Sequence, residues 1–414
     1  MRRLKKTLWT KNFTLVTAAS ALGAVGGIAG GFALSFLVFD ETGSTLASAL
    51  ILAIQLVPFF VLPLFLAPVM DRLPRKPFLV AGDLIDGVLY ALMGLYLLKF
   101  EFSYAAYLGY SLLLACLESF DELAFQSIYP KLIPEGMEQQ GYAVSTTLYP
   151  ILRVLMLPLA GILLDAVGAA WILIGQGGLS LLAALIESNI DITEHRREGG
   201  EKLFTLRQWR ADIREAAEYL KNERGVTGIF SYMAVTNGVS SGYSSILVAF
   251  FRTFPGFTAA MYSLFSVFEF AGRTLGGAVQ YKLKIAKEKK FGFTFLVYQI
   301  YETMDMCLLW LPYPLMLIDR ALCGFLGSNS ATMRQTAVQQ YLPETLRARV
   351  NAFFNMEQTL ASSVLALLVG ALGEVLDYRL CVTLCGAAAM TACWLLVWRG
   401  RRHVRPVLEY EKPT

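Results

Sequence analysis

The sequence carries little charge for its length. Only 16% of the 414 residues are charged and 56% are hydrophobic, which excludes an ordinary soluble globular protein. Unbroken apolar runs recur along the chain, for example 46–70 and 171–186. Such runs are typical of transmembrane helices, because a membrane-spanning strand would show a short alternating pattern instead. The composition therefore predicts an all-α membrane protein.

Residues that serve many enzymes are scarce. The two histidines, His195 and His403, lie in charged connecting segments, so catalysis by histidine within the membrane is not expected. The six cysteines lie in apolar runs without a Cys-x-x-Cys pair, which argues against a disulfide framework or a metal site. A G-x-x-x-x-G-K-[ST] phosphate loop is also absent from the sequence. We therefore expect no catalytic residue, no cofactor and no metal.

Twelve apolar segments are long enough to cross a membrane. A hydrocarbon core about 30 Å thick requires about 20 residues of helix, so twelve spans use about 240 residues and fit the chain. The predicted spans are 13–39, 46–70, 76–98, 103–128, 143–165, 168–187, 226–251, 258–281, 291–311, 313–341, 347–375 and 377–399.

The basic residues are divided unevenly between the two sets of connections. One set, which includes both termini, carries 29 Lys and Arg residues, whereas the opposite set carries only Lys99, Arg252 and Arg379. Positive charge collects on the cytoplasmic side of a membrane protein. The protein is therefore predicted to lie in the cell membrane with both termini in the cytoplasm. This placement accounts for the net charge of +4 without a nucleic-acid partner.

One long polar segment, 188–225, divides the chain. Its apolar residues recur at helical spacing opposite charged residues, which predicts an amphipathic helix on the cytoplasmic membrane surface, anchored by Trp209. The predicted organisation is a six-helix half over 1–187, this linker, a second six-helix half over 226–399 and a cytoplasmic tail over 400–414.

The two halves share a weak internal repeat. Pro134-Glu135 recurs as Pro343-Glu344, at the equivalent point of the second half. Duplicated halves joined by a linker are typical of secondary transporters, which bind their substrate between the halves.

The connection between spans two and three resembles a known signature. It reads Asp71-Arg72-Leu73-Pro74-Arg75-Lys76 and is similar to the cytoplasmic loop motif of the major facilitator superfamily, G-x-x-x-D-R-x-G-R-[RK]. Further segments that resemble this family are Asn12-Phe13, Gly82-Asp83, Leu132-Ile133-Pro134-Glu135, Arg153 with Pro158 and Gly161, and 342–352. Together they resemble the bacterial branch that includes macrolide and siderophore exporters. The resemblance implies twelve transmembrane helices in two pseudo-symmetric six-helix halves.

The same resemblance implies a gate on the cytoplasmic side. In this family, the acid and the bases of the loop form an ion-pair latch between spans two and eleven. The matching residues here are Asp71, Arg72, Arg75 and Lys76, with Asp83 nearby in span three. The alternative is that these charges only set the topology and cap a helix.

Span four carries three carboxylates within the membrane. Glu118, Asp121 and Glu122 are spaced i, i+3 and i+4, which places them on one face of a helix. A charged carboxylate at the bilayer centre costs about 2.5–3.5 kcal/mol, so such residues mark ion pathways or pair with a base. Arg153 in span five lies at a similar depth and is a candidate partner. We expect one of these acids to carry a proton; the alternative is that they only neutralise Arg153 and the loop bases.

The second half repeats this pattern. Glu302 and Asp305 in span nine lack an obvious nearby cation and are further candidates for proton coupling. Glu269 and Arg273 in span eight are spaced i, i+4, so they either pair with each other or contact the substrate.

Polar residues in spans seven and ten suit the wall of a water-filled cavity. Candidates for substrate contact are Asn237, Ser241, Tyr243 and Asn329. The resemblance supports this placement, since spans one, four, seven and ten line the cavity in the major facilitator superfamily. Hydrogen bonds between helices are the alternative.

These features predict a secondary transporter and no enzyme. The resemblance favours export of an amphipathic or cationic small molecule in exchange for protons, by a monomer in contact with membrane lipids. Span five keeps Pro158 and Gly161 of the G-P-x-x-G-G motif that antiporters of the family carry. Import by proton symport, or a transporter-like sensor without turnover, are the alternatives.

Overall fold

The computed structural model describes residues 7–70, 74, 76–134, 137–192, 206–282, 285–343 and 346–410. Over these residues the chain is almost entirely helical and contains no β-strand. The helices in the described ranges are Lys11–Thr42 (α1), Thr45–Met70 (α2), Lys76–Lys99 (α3), Tyr104–Leu132 (α4), Glu138–Val167 (α5), Ala169–Ser188 (α6), Leu206–Asn222 (α7), Arg224–Thr253 (α8), Ala259–Lys282 (α9), Lys290–Cys307 (α10), Tyr313–Tyr341 (α11), Arg347–Gly373 (α12), Tyr378–Ala392 (α13) and Arg401–Leu408 (α14).

Each predicted span coincides with one long helix to within a few residues. A 3₁₀ turn, Leu308–Trp310, extends α10, and a π-helical turn, Cys393–Trp398, extends α13. The prediction of an all-α protein is therefore confirmed, and hydropathy alone was sufficient to place the long helices.

Six of the described helices are apolar and long enough to cross a membrane by length and composition, namely α1, α3, α5, α6, α12 and α13. Several other long helices carry ionisable or polar side chains at mid-length. Examples are Glu118 in α4, Glu269 in α9 and Glu302 in α10. Candidate site residues therefore occur both on these helices and on two of the apolar ones, α3 and α6.

The chain divides into two units. One contains Met1–Thr42, Ile54–Leu203 and Gly256–Ser263, and the other contains Gly43–Ala53, Phe204–Pro255 and Leu264–Thr414. Two short segments thus depart from the predicted boundaries. The beginning of α2 groups with the second unit, and the beginning of α9 groups with the first.

In the first unit, α3 and α6 pack with their backbones in close approach. A Cβ at Gly87 would lie 2.9 Å from the carbonyl oxygen of Gly177, and a Cβ at Gly94 would lie 2.6 Å from the carbonyl oxygen of Ala170. Small residues are needed where membrane helices approach this closely. The consequence is that α3 and α6 bring their carboxylates together.

In the second unit, the core lies around α8. Phe230 stacks on Phe354 of α12 with ring centroids 4.1 Å apart, and Val226 and Val350 are fully buried nearby. A Cβ at Gly238 would lie 2.8 Å from the carbonyl oxygen of Ala361, so α8 also approaches α12 closely.

The predicted linker helix forms, as α7, and it packs against α8 and α12. Leu220 is buried in the core of the second unit, and Glu215 forms an ion pair with Arg349 of α12. Burial, together with the neighbouring Glu223 and Tyr341, raises the pKa of Tyr219 to about 12. The side chain of Trp209, the predicted membrane anchor, lies outside the described residues.

The predicted cytoplasmic tail contains a helix that packs on the second unit. Val404, Val407 and Leu408 of α14 are buried against α8. A Cβ at Gly225 of α8 would lie within 2.2 Å of the carbonyl oxygen of His403. The segment 401–408 of the predicted tail is therefore packed as part of the second unit.

Candidate functional site

Most of the predicted cytoplasmic gate, Asp71, Arg72 and Arg75, lies outside the described residues. Lys76 is described: it begins α3, and its Nζ donates a 2.8 Å hydrogen bond to the carbonyl oxygen of Ser188. Asp83 lies two turns further along α3, where its charge interacts with that of Glu187 on α6. The structure therefore places Asp83 among the carboxylates of the membrane-spanning helices.

Three helices of the first unit bring four carboxyl groups together. Asp83 and Asp86 lie on α3, Asp121 on α4 and Glu187 on α6, and their charges interact. We call these four residues the carboxylate cluster. A Cβ at Gly82 would lie only 2.9 Å from Oδ1 of Asp121, so glycine at this position admits the carboxyl group.

The carboxylate cluster has few partners. Buried oxygens of Asp86, Asp121 and Glu187 have no hydrogen-bond partner within the described part of the chain. None of the four residues forms an ion pair with a described Lys or Arg. Because an isolated charge is unfavourable in such surroundings, these groups are suited to hold protons.

Sequence reasoning missed Glu187, which is only 3% exposed. The signal was present, because Glu187 is the last residue of predicted span six and follows an apolar run. A carboxylate at a span end was not distinguished from an ordinary loop acid.

The other acids of α4 are placed differently. The side chains of Glu118 and Glu122 are exposed, whereas Asp121 packs against α3. Arg153 on α5 is also exposed and forms no ion pair with a carboxylate among the described residues. The expected pairing of Arg153 with these acids is therefore not found.

In the second unit, Glu302 of α10 is held by two hydroxyl groups. The hydroxyls of Tyr232 and Thr236, both on α8, donate hydrogen bonds of 2.9 Å to Oε1 of Glu302. Glu302 is 1% exposed, so these bonds replace water around a carboxyl group in the core.

The expectation that Asp305 lacks a nearby cation is wrong. Arg320 of α11 is 4% exposed and donates a 2.6 Å hydrogen bond to Asp305 and one of 2.7 Å to its neighbour Asp319. Asp319 and Arg320 were not singled out from the sequence, although both lie within predicted span ten. Hydropathy still predicts the span, because two charges do not outweigh its apolar residues.

Glu269 and Arg273 of α9 pair with each other, as the spacing permits. Nε of Arg273 lies 3.0 Å from Oε1 of Glu269 within the same helix. Arg273 is exposed, so the pair remains accessible.

The predicted cavity residues fall into two groups. Asn237 and Ser241 lie one turn apart on α8, and Asn237 donates a 2.8 Å hydrogen bond to Gln358 of α12. Tyr243 and Asn329 are buried, each 7% exposed. Among the predicted cavity residues that the structure describes, Asn237 and Arg273 are exposed and Ser241 is partly exposed.

An all-helical membrane protein with carboxylates inside its spanning helices is typical of transport proteins. The sequence profile of the Major Facilitator Superfamily matches residues 13–298 and 304–413. The chain belongs to this superfamily, and it is a multi-pass membrane transporter and not an enzyme.

Solved structures of transporters share the fold over nearly the whole chain. A bacterial homologue of the human lysosomal transporter Spinster, inward-facing and unoccupied, has 13% identity and a TM-score of 0.67, with 97% of this chain and 98% of that chain covered. The peptide transporter POT in complex with alafosfalin has 12% identity and a TM-score of 0.70, with 97% of each chain covered. The nucleoside transporter NupG has 10% identity and a TM-score of 0.68, with 93% and 98% covered.

No curated protein matches the chain in sequence at a significant level. At identities of 10–13%, the structural likeness shows the fold alone.

Proposed function

We propose that the protein is a secondary active transporter that exports an amphipathic or cationic small molecule across the cell membrane in exchange for protons. The observation that carries this proposal is the carboxylate cluster. Four carboxyl groups on three helices lie close enough for their charges to interact, and none of them forms an ion pair with a described Lys or Arg. Several ionised carboxylates held together without a base are unfavourable, so such a group of acids favours the uptake of a proton.

The membrane potential supplies enough free energy for such a transporter to accumulate its substrate. One elementary charge that crosses 100 mV supplies about 2.3 kcal/mol, which corresponds to about a 50-fold gradient of substrate. A single proton per cycle therefore supports active export.

Three further features fit this proposal. Gly161 of the antiporter-like motif approaches α9 closely, since a Cβ there would lie 2.7 Å from Cα of Ala260. The accessible residues Asn237, Ser241, Glu269 and Arg273 offer amide, hydroxyl and charged groups to a solute. The similar solved structures include a peptide transporter and a nucleoside transporter, which fits a small molecule as substrate.

The direction of coupling is tested with imposed pH gradients. Everted membrane vesicles that contain the protein are loaded at acid or alkaline internal pH, and uptake of ethidium, a fluorescent amphipathic cation, is recorded. Antiport predicts accumulation only when the interior is acid, and an uncoupler should abolish it. Accumulation only when the exterior is acid would identify a proton symporter, and the absence of gradient-dependent flux for a panel of cations would oppose the proposal.

The orientation is a separate proposal, with both termini in the cytoplasm. In a background without native cysteines, Glu218→Cys on α7 should resist an impermeant thiol reagent in intact cells and react after permeabilisation. Glu101→Cys, on the opposite connection, should react without permeabilisation. Both side chains are exposed, so the comparison depends on topology and not on burial.

A further inference from the structure

Arg320 joins two carboxylates in the interior of the second unit. Its Nη2 lies 2.6 Å from Oδ1 of Asp305 on α10 and 2.7 Å from Oδ1 of Asp319 on α11. Nε of Arg320 also donates to that Asp319 oxygen, at 3.0 Å. The three side chains are at most 7% exposed. We call these residues the Asp–Arg–Asp triad.

The triad is not electrically balanced when both carboxylates are ionised. One guanidinium and two carboxylates leave a net charge of −1, and arginine does not give up its proton in proteins. An uncompensated charge away from water is strongly unfavourable, so a group in this situation takes up a proton. One proton makes the triad neutral and still leaves an ionised carboxylate beside Arg320.

The surrounding residues do not supply the missing positive charge. Tyr243 of α8, Tyr301 of α10 and Cys323 of α11 face the triad, and they are neutral hydrogen-bonding groups. The charge of Glu269 also acts on Asp305, but Glu269 pairs with Arg273. Among the described residues, only Arg320 forms an ion pair with Asp305 or Asp319.

We propose that the Asp–Arg–Asp triad is a second proton-binding site of the transporter. Asp305 and Asp319 share one exchangeable proton, and Arg320 pairs with whichever carboxylate is ionised. Uptake forms one O–H bond on a carboxylate oxygen and changes the charge of the triad from −1 to zero; release reverses both. The use of this proton in transport rests on the proposed function, whereas the binding of the proton does not.

The position of the triad gives the proton a next acceptor. Asp305 lies two residues before the end of α10, and Glu302 lies three residues earlier on the same helix. Glu302 is held by the hydroxyls of Tyr232 and Thr236, which can rearrange when the carboxyl group gains or loses a proton. Glu302 is therefore the next carboxyl group along α10 that can accept a proton from the triad.

Infrared spectroscopy of the full-length protein in lipid nanodiscs tests the site. The carbonyl band of protonated carboxylic acids, identified by its shift in D₂O, is compared between variants at neutral pH. Asp319→Asn leaves Asp305 and Arg320 as a neutral pair and should remove one protonated carboxyl group. Asp305→Asn leaves Asp319 and Arg320 as a neutral pair and should remove the same protonated carboxyl group.

The double variant Asp305→Asn/Asp319→Asn gives the sharpest outcome. Because one proton is shared, the double variant should lose one protonated group, as each single variant does, and not two. Glu218→Gln is the matched control, since Glu218 is an exposed carboxylate paired with Arg214 and should leave the band unchanged.

An unchanged band in both folded single variants, or a loss of two groups in the double variant, overturns the proposal. If neither single variant folds, the proposal also fails, because it requires that one carboxylate suffices for Arg320. The spectra need no gradient and no substrate. If the band is lost but flux does not respond to pH gradients, the proposed antiport is refuted and the proton site is retained. If flux is coupled to protons but the band is unchanged, the proton site is refuted and the proposed antiport is retained.

Discussion

The carboxylate of Glu374, one residue beyond α12, accepts a 2.9 Å hydrogen bond from the backbone N–H of Leu46 in the first turn of α2. The hydroxyl of Ser44 donates to the same oxygen at 2.6 Å, and that of Thr45 donates to the carbonyl oxygen of Gly370 at 2.7 Å. The first N–H groups of a helix lack partners within the helix, and a negative charge beside them is favourable. Glu374 therefore caps α2 from a distant point in the sequence.

We expect Glu374→Gln to destabilise the protein by about 1 kcal/mol at neutral pH, as the loss of a helix cap does. The bonds favour the ionised carboxylate, so their contribution is present at neutral pH and is lost as the pH falls and Glu374 is protonated. Thermal unfolding in detergent at neutral and acid pH measures the difference. Glu101→Gln, an exposed acid at another connection, should have no effect at either pH; an equal loss at both pH values would contradict the capping role.

The carboxylate cluster gives a prediction for coupling. Glu187→Gln and Asp121→Asn keep the shape of the side chains but remove the proton, so at least one of them should abolish gradient-driven transport. Exchange of substrate across the membrane without a gradient should persist, because it needs no net proton movement. Uphill transport and exchange are measured side by side in vesicles.

The acids of α4 that are exposed serve as the comparison for this prediction. Glu118→Gln and Glu122→Gln should affect coupling less, since their side chains are exposed, although their charges act on Asp121. If Glu118→Gln alone uncouples transport, the proton site lies at Glu118, one of the three acids of span four that the sequence indicates as candidates. If every amide variant retains uphill transport, the residues that couple transport to protons lie in the second unit.

The long helices could be predicted from sequence because each is defined by its own local composition. The boundaries of α3 and α11 follow from runs of apolar residues, and a few charges within them do not change the average. Contacts between distant segments have no such local signal. Leu46 and Glu374 are 328 residues apart, and nothing in either segment indicates the other.

The sequence predicts only those residues of the candidate site that have such a local signal. Asp121 stands out as an acid in an apolar helix, and so does Asp305. Glu187 and Arg320 gain their importance from neighbours on other helices, which only the packing of α3 on α6 and of α10 on α11 reveals. A search for every charge within the predicted spans, followed by pairing of opposite signs, would have found Arg320.

The helix of the C-terminal segment, α14, leads to a test of stability. Val404 is fully buried against α8, whereas Arg402 on the same helix is exposed. Val404→Ala should destabilise the second unit by about 1–3 kcal/mol, as the removal of buried methyl groups from a packed core does. Arg402→Ala should change the midpoint of thermal unfolding little. Equal midpoints for both variants would show that α14 does not contribute to the folded core.

The close approach of α3 and α6 gives the last prediction, because it controls how near Asp83 lies to Glu187. Gly87→Ala would place a Cβ 2.9 Å from the carbonyl oxygen of Gly177 and 3.0 Å from the backbone nitrogen of Leu181, so the two helices must move apart. We expect a loss of about 1–3 kcal/mol in stability, the usual effect of overpacking. Gly109→Ala on α4 is the matched control, since a Cβ there meets no atom within 4 Å. Thermal unfolding should separate the two variants. The surviving Gly87→Ala protein should also show weaker coupling to the pH gradient, because the carboxyl groups of α3 and α6 lie further apart and interact less. Full stability of Gly87→Ala would refute the tight packing of these helices, and full coupling in a destabilised variant would show that coupling does not depend on the contact between Asp83 and Glu187.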